Sequence, residues 1–190
     1  MSAEVCLHFY PFCFVYFPIL TWSVHRFQLF SAVTPSPPNT GYTLFASSTH
    51  LFRHLPQDII PSINKLKELK WSITTPSFGD VKLNRLPLVI DHPTTGRPCL
   101  RYHENWPQSK TRFDPMDVML HQISDSVVSE DASIVQVGEA LERLLYDRRV
   151  TYWHSWEKGD VLISDNFSMM HTRSEFVSGA DRELWRIHVD

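Results

Sequence analysis

The sequence predicts a mixed α and β domain, and three observations support that class. Short β-prone runs recur along the chain and are bounded by turn residues. Two other segments repeat apolar residues at the spacing of an amphipathic helix. The length of 190 residues and the hydrophobic content of 43% suit one globular domain with a buried core.

Charge and cysteine content narrow the classes of function. The formal net charge is −3 at pH 7, so the chain lacks the basic field with which proteins bind nucleic acid. Its three cysteines are an odd number without a Cys-x-x-Cys motif, which favours a reducing compartment over a disulfide framework or a cysteine-bound zinc. The sequence therefore predicts a cytoplasmic protein that does not bind nucleic acid, and it carries no signal for oligomeric state.

Residues 1–38 are predicted to be an atypical apolar segment followed by a proline-rich linker. Residues 5–22 are apolar over nearly the length of a membrane span, but a histidine and two prolines interrupt them, and no signal-peptide cleavage site is evident. A membrane anchor is therefore disfavoured, and the segment is either foreign to the domain or part of the sheet core. The linker at 34–41 contains three prolines, so the domain is expected over 39–190.

The domain is predicted to begin with a strand and two helices. Residues 42–46 are β-prone, and residues 47–55 favour a short helix whose histidines lie on its surface. Residues 58–69 predict a longer helix, because their isoleucines and leucines fall largely on one face. Pro61 lies in the first turn of that helix, where its missing N–H is tolerated.

A hairpin and two further helices are predicted next. Residues 86–91 and 98–103 are β-prone, and between them Gly96 supplies the positive φ of the turn. Residues 114–123 favour a helix. Residues 133–146 have the most regular helical pattern, with a Ser-x-x-Gln capping box at the start and an apolar stripe that indicates core packing.

Three strands are predicted in the last third of the chain. Residues 150–153 and 161–164 are β-prone, and a Gly-Asp turn precedes the second run. Residues 182–189 alternate between two faces. One face carries Arg182, Leu184, Arg186 and His188, and the other carries Trp185, Ile187 and Val189.

The residues of chemical interest lie in this last third. His171 comes just after the strand at 161–164, and Arg182 and Arg186 share one face of the final strand. A neutral imidazole suits iron, zinc or copper, and a planar guanidinium binds a carboxylate through two parallel hydrogen bonds. This combination suggests a metal beside an organic acid.

Seven features match one known family in order and spacing. Arg182 follows His171 by eleven positions, and Arg186 follows four positions later. The matching features are Tyr-Thr-Leu-Phe-Ala-Ser at 42–47, His-Pro-Thr-Thr-Gly-Arg at 92–97, Trp-x-x-Gly-Asp at 156–160, Asp165-Asn166, His171, Arg182 and Arg186. By these features the sequence resembles the TauD/TfdA family of iron(II)- and 2-oxoglutarate-dependent dioxygenases over about residues 39–190.

The resemblance implies a fold and an activity. The fold would be a double-stranded β-helix, or jelly roll, with flanking helices, here incomplete. The cofactors would be Fe(II) and the co-substrate 2-oxoglutarate. The protein would hydroxylate or desaturate a small organic substrate while 2-oxoglutarate is decarboxylated to succinate.

The resemblance also implies roles for individual residues. His171 would be a catalytic residue and the distal iron ligand, while Arg182, also catalytic, and Thr43 would hold the far carboxylate of 2-oxoglutarate. Arg186 would contact either the co-substrate or the substrate. We expect Asp165 or a backbone carbonyl to orient His171.

A second group of candidates follows the predicted hairpin. Arg101, His103, Glu104 and Asn105 approach the mouth of the active site in related proteins, so they are candidates for substrate contact. The alternative is a solvated strand end.

One part of the family pattern is missing. Iron in such enzymes is held by two histidines and a carboxylate, and the proximal pair is a His-x-Asp or His-x-Glu that precedes the threonine segment. Neither His8 nor His25 begins such a motif, and the single His-x-Asp, at 188–190, stands in the wrong order. A catalytically inactive or truncated family member is therefore the main alternative. A hydrolase that uses Asp165 and His171 with Ser164 or Ser168 is less favoured, because no nucleophile motif surrounds these serines.

Overall fold

The computed structural model of the chain describes residues 4–6, 26–73, 84–105, 117–123, 131–174 and 181–189. These residues form twelve strands and three helices. In chain order the elements are β1 (Glu4–Cys6), β2 (Phe27–Thr34), β3 (Thr43–Ser47), α1 (Ser48–Arg53), α2 (Ile63–Lys67), β4 (Leu69–Ile73), β5 (Leu86–Pro87), β6 (Val89–Asp91), β7 (Pro98–Leu100), β8 (Val118–Gln122), α3 (Ala132–Leu145), β9 (Thr151–His154), β10 (Val161–Asp165), β11 (Met169–Arg173) and β12 (Glu183–Val189).

The strands form four antiparallel sheets. The largest has the order β1-β12-β2-β10, and a second has the order β11-β3-β9. Two smaller sheets have the orders β5-β4-β8 and β6-β7. The prediction of a mixed α and β domain is confirmed, with the described part of the chain dominated by strands.

The two larger sheets face each other across a small aromatic core. Alternation along β2 directs Phe30 and Ala32 to one face, where they pack with Phe45 of β3 and with Trp156. The rings of Phe30 and Phe45 meet edge to face with centroids 5.7 Å apart. This inner face positions the candidate site.

The opposite face of the largest sheet is apolar and exposed. Register places Trp185 and Val161 opposite the same residue of β2, and it places Ile187 and Ile163 opposite the next residue on that face. Exposure is 65% at Val161, 64% at Ile163 and 49% at Trp185. We call these four residues, together with Val189, the outer apolar face.

A larger core lies between α3 and the small sheets. The apolar stripe predicted for α3 is buried, and it packs in one cluster with residues of α1, β4 and β8. The fully buried Trp71 is the largest side chain of that cluster. None of the described helices is long and apolar enough to cross a membrane.

Several predicted elements are confirmed. The strands predicted at 42–46, 150–153, 161–164 and 182–189 correspond to β3, β9, β10 and β12. The short helix predicted at 47–55 is α1. The hairpin is β6 and β7, and Gly96 has the expected positive φ of 65°.

Three local predictions are wrong. The helix predicted over 58–69 is only α2, and its last residue, Leu69, begins β4 instead. Part of the helix predicted over 114–123 is strand β8, while residues 114–116 lie outside the described residues. The N-cap of α3 is Asp131, whose Oδ1 accepts the backbone N–H of Ser133 at 2.8 Å, so the serine is not the cap.

Part of the predicted N-terminal segment belongs to the sheet. Residues 27–34 form β2, which pairs with both β10 and β12. Residues 7–25, which include most of the apolar run, lie outside the described residues. The domain boundary at 38, like the cytoplasmic location and the absence of a nucleic-acid partner, stays a prediction.

Candidate functional site

His171 lies on β11, between the two facing sheets. It is opposite Phe45 in the β3 pairing, and its ring centroid is 5.3 Å from that of Phe30 and 6.2 Å from that of Phe45. Loss of hydration, followed by the effects of Arg186 and His188, lowers the pKa of His171 to about 3. The imidazole is therefore neutral at physiological pH, which is the form that binds a metal.

Arg182 and Thr43 meet at the start of β12. The Nη2 of Arg182 donates to Oγ1 of Thr43 at 3.3 Å. The indole Nε1 of Trp156 donates to the same oxygen at 2.7 Å. Thr43 is only 4% exposed, so this contact lies in the interior, and we call it the Arg182–Thr43 pair.

Two further polar residues of β12 face the same interior. Arg186 is opposite Phe30 and His188 is opposite Gln28, so both lie on the inner face of the sheet. The predicted alternation of the last strand is thereby confirmed. Gln28 is 1% exposed, and its Nε2 lies 3.2 Å from Nε2 of His188.

Asp165, one of the two groups predicted to orient His171, contacts His92 instead, and the other, a backbone carbonyl, stays a prediction. Its Oδ2 lies 2.9 Å from Nε2 of His92, and its Oδ1 accepts the backbone N–H groups of Phe167 and Ser168. Burial raises the pKa of Asp165, but these hydrogen bonds outweigh it, and the pKa lies below its usual value. The carboxylate therefore fastens the turn between β10 and β11 to the β6–β7 hairpin.

The same geometry removes the support for the hydrolase alternative. A catalytic triad needs the carboxylate to hold the histidine that activates the nucleophile. Asp165 holds His92 rather than His171.

The proton on His92 can be placed from its neighbours. Its Nδ1 accepts the backbone N–H groups of Thr94 and Thr95, at 3.1 and 3.2 Å. The proton is therefore on Nε2, which donates to Asp165. His92 is 4% exposed, and the motif at 92–97 thus has a structural use in fixing the hairpin.

The candidates after the hairpin lie beside α3. Both carboxylate oxygens of Glu104 are 2.8 Å from the hydroxyl of Tyr146. The Nδ2 of Asn105 donates to Glu142 at 3.3 Å. His103 is 1% exposed, and burial lowers its pKa to about 4. Their contact with substrate stays a prediction, as does that of the half-buried Arg101.

The described residues do not assemble the iron site. Among them, no group of three His, Cys, Asp or Glu side chains is arranged to hold a metal ion. His171 fits one position of the two-histidine, one-carboxylate set that iron requires. His8, His25 and Asp190 lie outside the described residues. The set of iron ligands is thus incomplete in this part of the chain.

Three features of the site were not predicted from the sequence. Gln28 falls in the N-terminal segment predicted to lie outside the domain, although the two-residue period of a strand puts it on the same face as Phe30 and Ala32. His188 was placed on the correct face without a role. Trp156 was matched only as part of a motif, and its N–H bond to Thr43 carries no sequence signal.

Comparison with a family model identifies the group of proteins that this chain resembles. The model described as taurine catabolism dioxygenase TauD, TfdA family, matches residues 22–188. The match includes β2, β3, β11 and all but the last residue of β12, the strands that carry the site.

Three relatives have names that refer to isocyanides or isonitriles. Isocyanide synthase xanB of Aspergillus fumigatus is 42% identical over 86% of this chain and 20% of its own length. The 3-((Z)-2-isocyanoethenyl)-1H-indole synthase of Fischerella ambigua is 27% identical over 88% of the chain and 59% of its own length. Tyrosine isonitrile desaturase of Erwinia amylovora is 24% identical over 88% and 55%. The chain therefore spans less than two thirds of each relative.

A solved structure has the same fold. PvcB, described as an Fe, alpha-ketoglutarate dependent oxygenase from an isonitrile synthetic pathway, superposes with a TM-score of 0.63. It is 24% identical, and the superposition covers 87% of this chain and 52% of PvcB. The sheet-rich architecture is thus that of a TauD-like oxygenase, of which the chain matches about half.

Proposed function

This chain belongs to the TauD/TfdA family of dioxygenases, and we propose that it is an oxidoreductase of the Fe(II)- and 2-oxoglutarate-dependent type. It hydroxylates or desaturates a small organic substrate while 2-oxoglutarate is decarboxylated to succinate. The observation that carries the proposal is the Arg182–Thr43 pair, which lies in the interior that also contains His171 and Arg186. The relatives are named as enzymes, which favours this function over the inactive alternative.

The Arg182–Thr43 pair is suited to a carboxylate. Oγ1 of Thr43 accepts from both Arg182 and Trp156, so its two lone pairs are occupied. The hydroxyl hydrogen is then left for an acceptor. A carboxylate oxygen is such an acceptor, and the guanidinium beside it supplies charge-assisted donors.

We assign the remaining roles within the proposal. His171 is the metal ligand, and its neutral imidazole beside the ring of Phe30 supports this role. When bound, iron would supply the oxidising chemistry, while the protein positions the reactants and limits access of water. Arg186, on the same inner face, contacts the co-substrate or an anionic group of the substrate.

The substrate class is drawn from the relatives. Two of them are named for an indole and a tyrosine derivative, each with an isocyanide or isonitrile group. We take the substrate here to be a small aromatic compound of that kind. The aromatic rings of Phe30 and Phe45 on the inner faces are consistent with an aromatic ligand.

Calorimetric titration with 2-oxoglutarate tests the co-substrate site. Arg182→Gln should weaken binding by roughly 10- to 150-fold, because a hydrogen bond to a charged group contributes about 1.5–3 kcal/mol. 2-Oxobutanoate, which lacks the far carboxylate, should bind wild type as weakly as 2-oxoglutarate binds the variant. Arg53→Gln, at an exposed position of α1, is the matched control and should bind normally.

The same proteins separate the proposed enzyme from the inactive alternative. With Fe(II) and a reductant present, an active enzyme forms succinate from 2-oxoglutarate, and an inactive member binds it without forming succinate. Equal affinity of wild type and Arg182→Gln for 2-oxoglutarate would remove the basis of the proposal.

A further inference from the structure

The side-chain amide of Gln28 is buried, and one of its two polar atoms has no hydrogen-bond partner. Gln28 is 1% exposed, and its Nε2 approaches Nε2 of His188 at 3.2 Å. Its Oε1 is buried and has no hydrogen-bond partner. Buried polar atoms are nearly always hydrogen-bonded, so this acceptor calls for a donor from a water or from a ligand.

The position of Gln28 connects it to that site. Residues 28 and 30 of β2 lie on the same face, because side chains two apart in a strand share a face. The ring of Phe30 is 5.3 Å from that of His171. Across the sheet, His188 is opposite Gln28 and also contributes to the lowered pKa of His171. Gln28 is therefore one step along the sheet from the residues around His171.

The hydrogen-bonding capacity of Oε1 determines which kind of ligand group can bind it. The amide N–H of Gln28 donates to Nε2 of His188, so Oε1 remains as an acceptor and needs a donor. At neutral pH 2-oxoglutarate is fully ionised and carries no N–H or O–H. The co-substrate therefore cannot satisfy this atom, whereas an indole N–H or a phenol O–H can.

We propose that Gln28, held by His188, forms a substrate subsite that accepts a hydrogen bond from a ring N–H or phenolic O–H group of an aromatic substrate. This inference rests on the proposed function and adds the feature by which the substrate is selected. A site built to accept a hydrogen bond rejects an analogue that lacks the donor, because the buried acceptor is then left unpaired.

Indole and 1-methylindole are probes that differ only at the donor. In calorimetric or ligand-observed NMR titrations of the full chain, we expect wild type to bind indole about tenfold more tightly than 1-methylindole, because one buried hydrogen bond is lost. Gln28→Met, which keeps the length of the side chain and removes the acceptor, should bind the two probes equally. Gln57→Leu replaces an exposed glutamine and should keep the wild-type preference.

The binding data for wild type test the inference even if Gln28→Met does not fold. Equal binding of the two probes by wild type, or binding of neither, overturns it whether or not Gln28→Met folds. A preference that persists in folded Gln28→Met overturns it as well. Thermal unfolding checks that Gln28→Met is folded, because the replacement removes both an unpaired buried oxygen and the N–H that donates to His188.

Failure of this inference is distinguishable from failure of the proposed function. If wild type binds 2-oxoglutarate but does not prefer indole, only the subsite is wrong. If wild type does not bind 2-oxoglutarate, the proposed function fails, and the subsite then loses the premise on which it rests.

Discussion

Replacing Thr43 by valine tests the hydrogen-bond arrangement on which the co-substrate site depends. Valine has nearly the same shape as threonine but lacks the hydroxyl that accepts from Trp156 at 2.7 Å and from Arg182 at 3.3 Å. Because Trp156 is 6% exposed, its N–H would be left without a partner in the interior. An unpaired buried donor costs about 1–3 kcal/mol, so the free energy of unfolding should fall by that amount.

Urea denaturation of four proteins isolates this contribution. Wild type, Thr43→Val, Trp156→Phe and the double variant form a cycle in which phenylalanine removes the donor. If the 2.7 Å bond is formed, the loss in the double variant should be smaller than the sum of the single losses by at least about 0.5 kcal/mol. Thr49→Val, in α1, is the control and should change stability by no more than about 0.5 kcal/mol.

Two results would refute the reasoning. If Thr43→Val were as stable as wild type, the Trp156 N–H would have another partner. Strict additivity in the cycle would mean that the two side chains do not interact. Thr43→Val should also bind 2-oxoglutarate more weakly than wild type, whereas Thr43→Ser, which keeps the hydroxyl, should bind it nearly as well.

Three further predictions concern titratable side chains outside the Arg182–Thr43 pair. The pKa of His103 is about 4 in the folded protein and 6.5 in the unfolded chain, so the unfolded chain binds the proton first as the pH falls. The free energy of unfolding should therefore fall between pH 6.5 and 4, by up to about 3 kcal/mol. Urea titrations of His103→Gln should show a smaller fall. Burial raises the pKa of Cys99 to about 11, so iodoacetamide should label this thiol only after unfolding. Mass spectrometry of the Cys99 peptide follows the labelling, and a labelled native protein would contradict the prediction. Asp165→Asn should lower the free energy of unfolding by roughly 1–3 kcal/mol, since it weakens the hydrogen bonds to His92 and to the turn. An unchanged urea midpoint would show that these bonds contribute nothing to stability.

The two-residue period of a strand was sufficient to predict which polar residues near the end of the chain share a face. Alternation along β12 gave the common face of Arg186 and His188, because a strand has a fixed two-residue period. The family spacing directed attention to His171, Arg182 and Thr43. In the structure Arg182 contacts Thr43, and Arg186 lies near His171.

The failed element predictions arise where pairing partners are distant in sequence. Residues 118–122, Val-Met-Leu-His-Gln, contain good helix formers, yet they form β8. All five pair with β4, and Leu120 lies opposite the buried Trp71. The backbone bonds and burial gained in this pairing outweigh the weak local preference for helix, and no local pattern reports them.

The polar pairs of the interior depend on sheet register. Gln28 and His188 are 160 positions apart, and His92 and Asp165 are 73 apart. A shift of one residue in β2 or β12 would direct Gln28 or His188 to the opposite face. The register is set by the whole sheet, so contacts of this kind emerge only once the strands are paired.

The outer apolar face has a practical consequence for handling the protein. Val161 and Ile163 are each more than 60% exposed, and Trp185 lies across the same sheet. Any contact made through these side chains excludes water instead of pairing charges, so sodium chloride will not screen it. Sulfate strengthens such adhesion and cooling weakens it, and the chain will therefore stay dispersed best in cold buffer without sulfate.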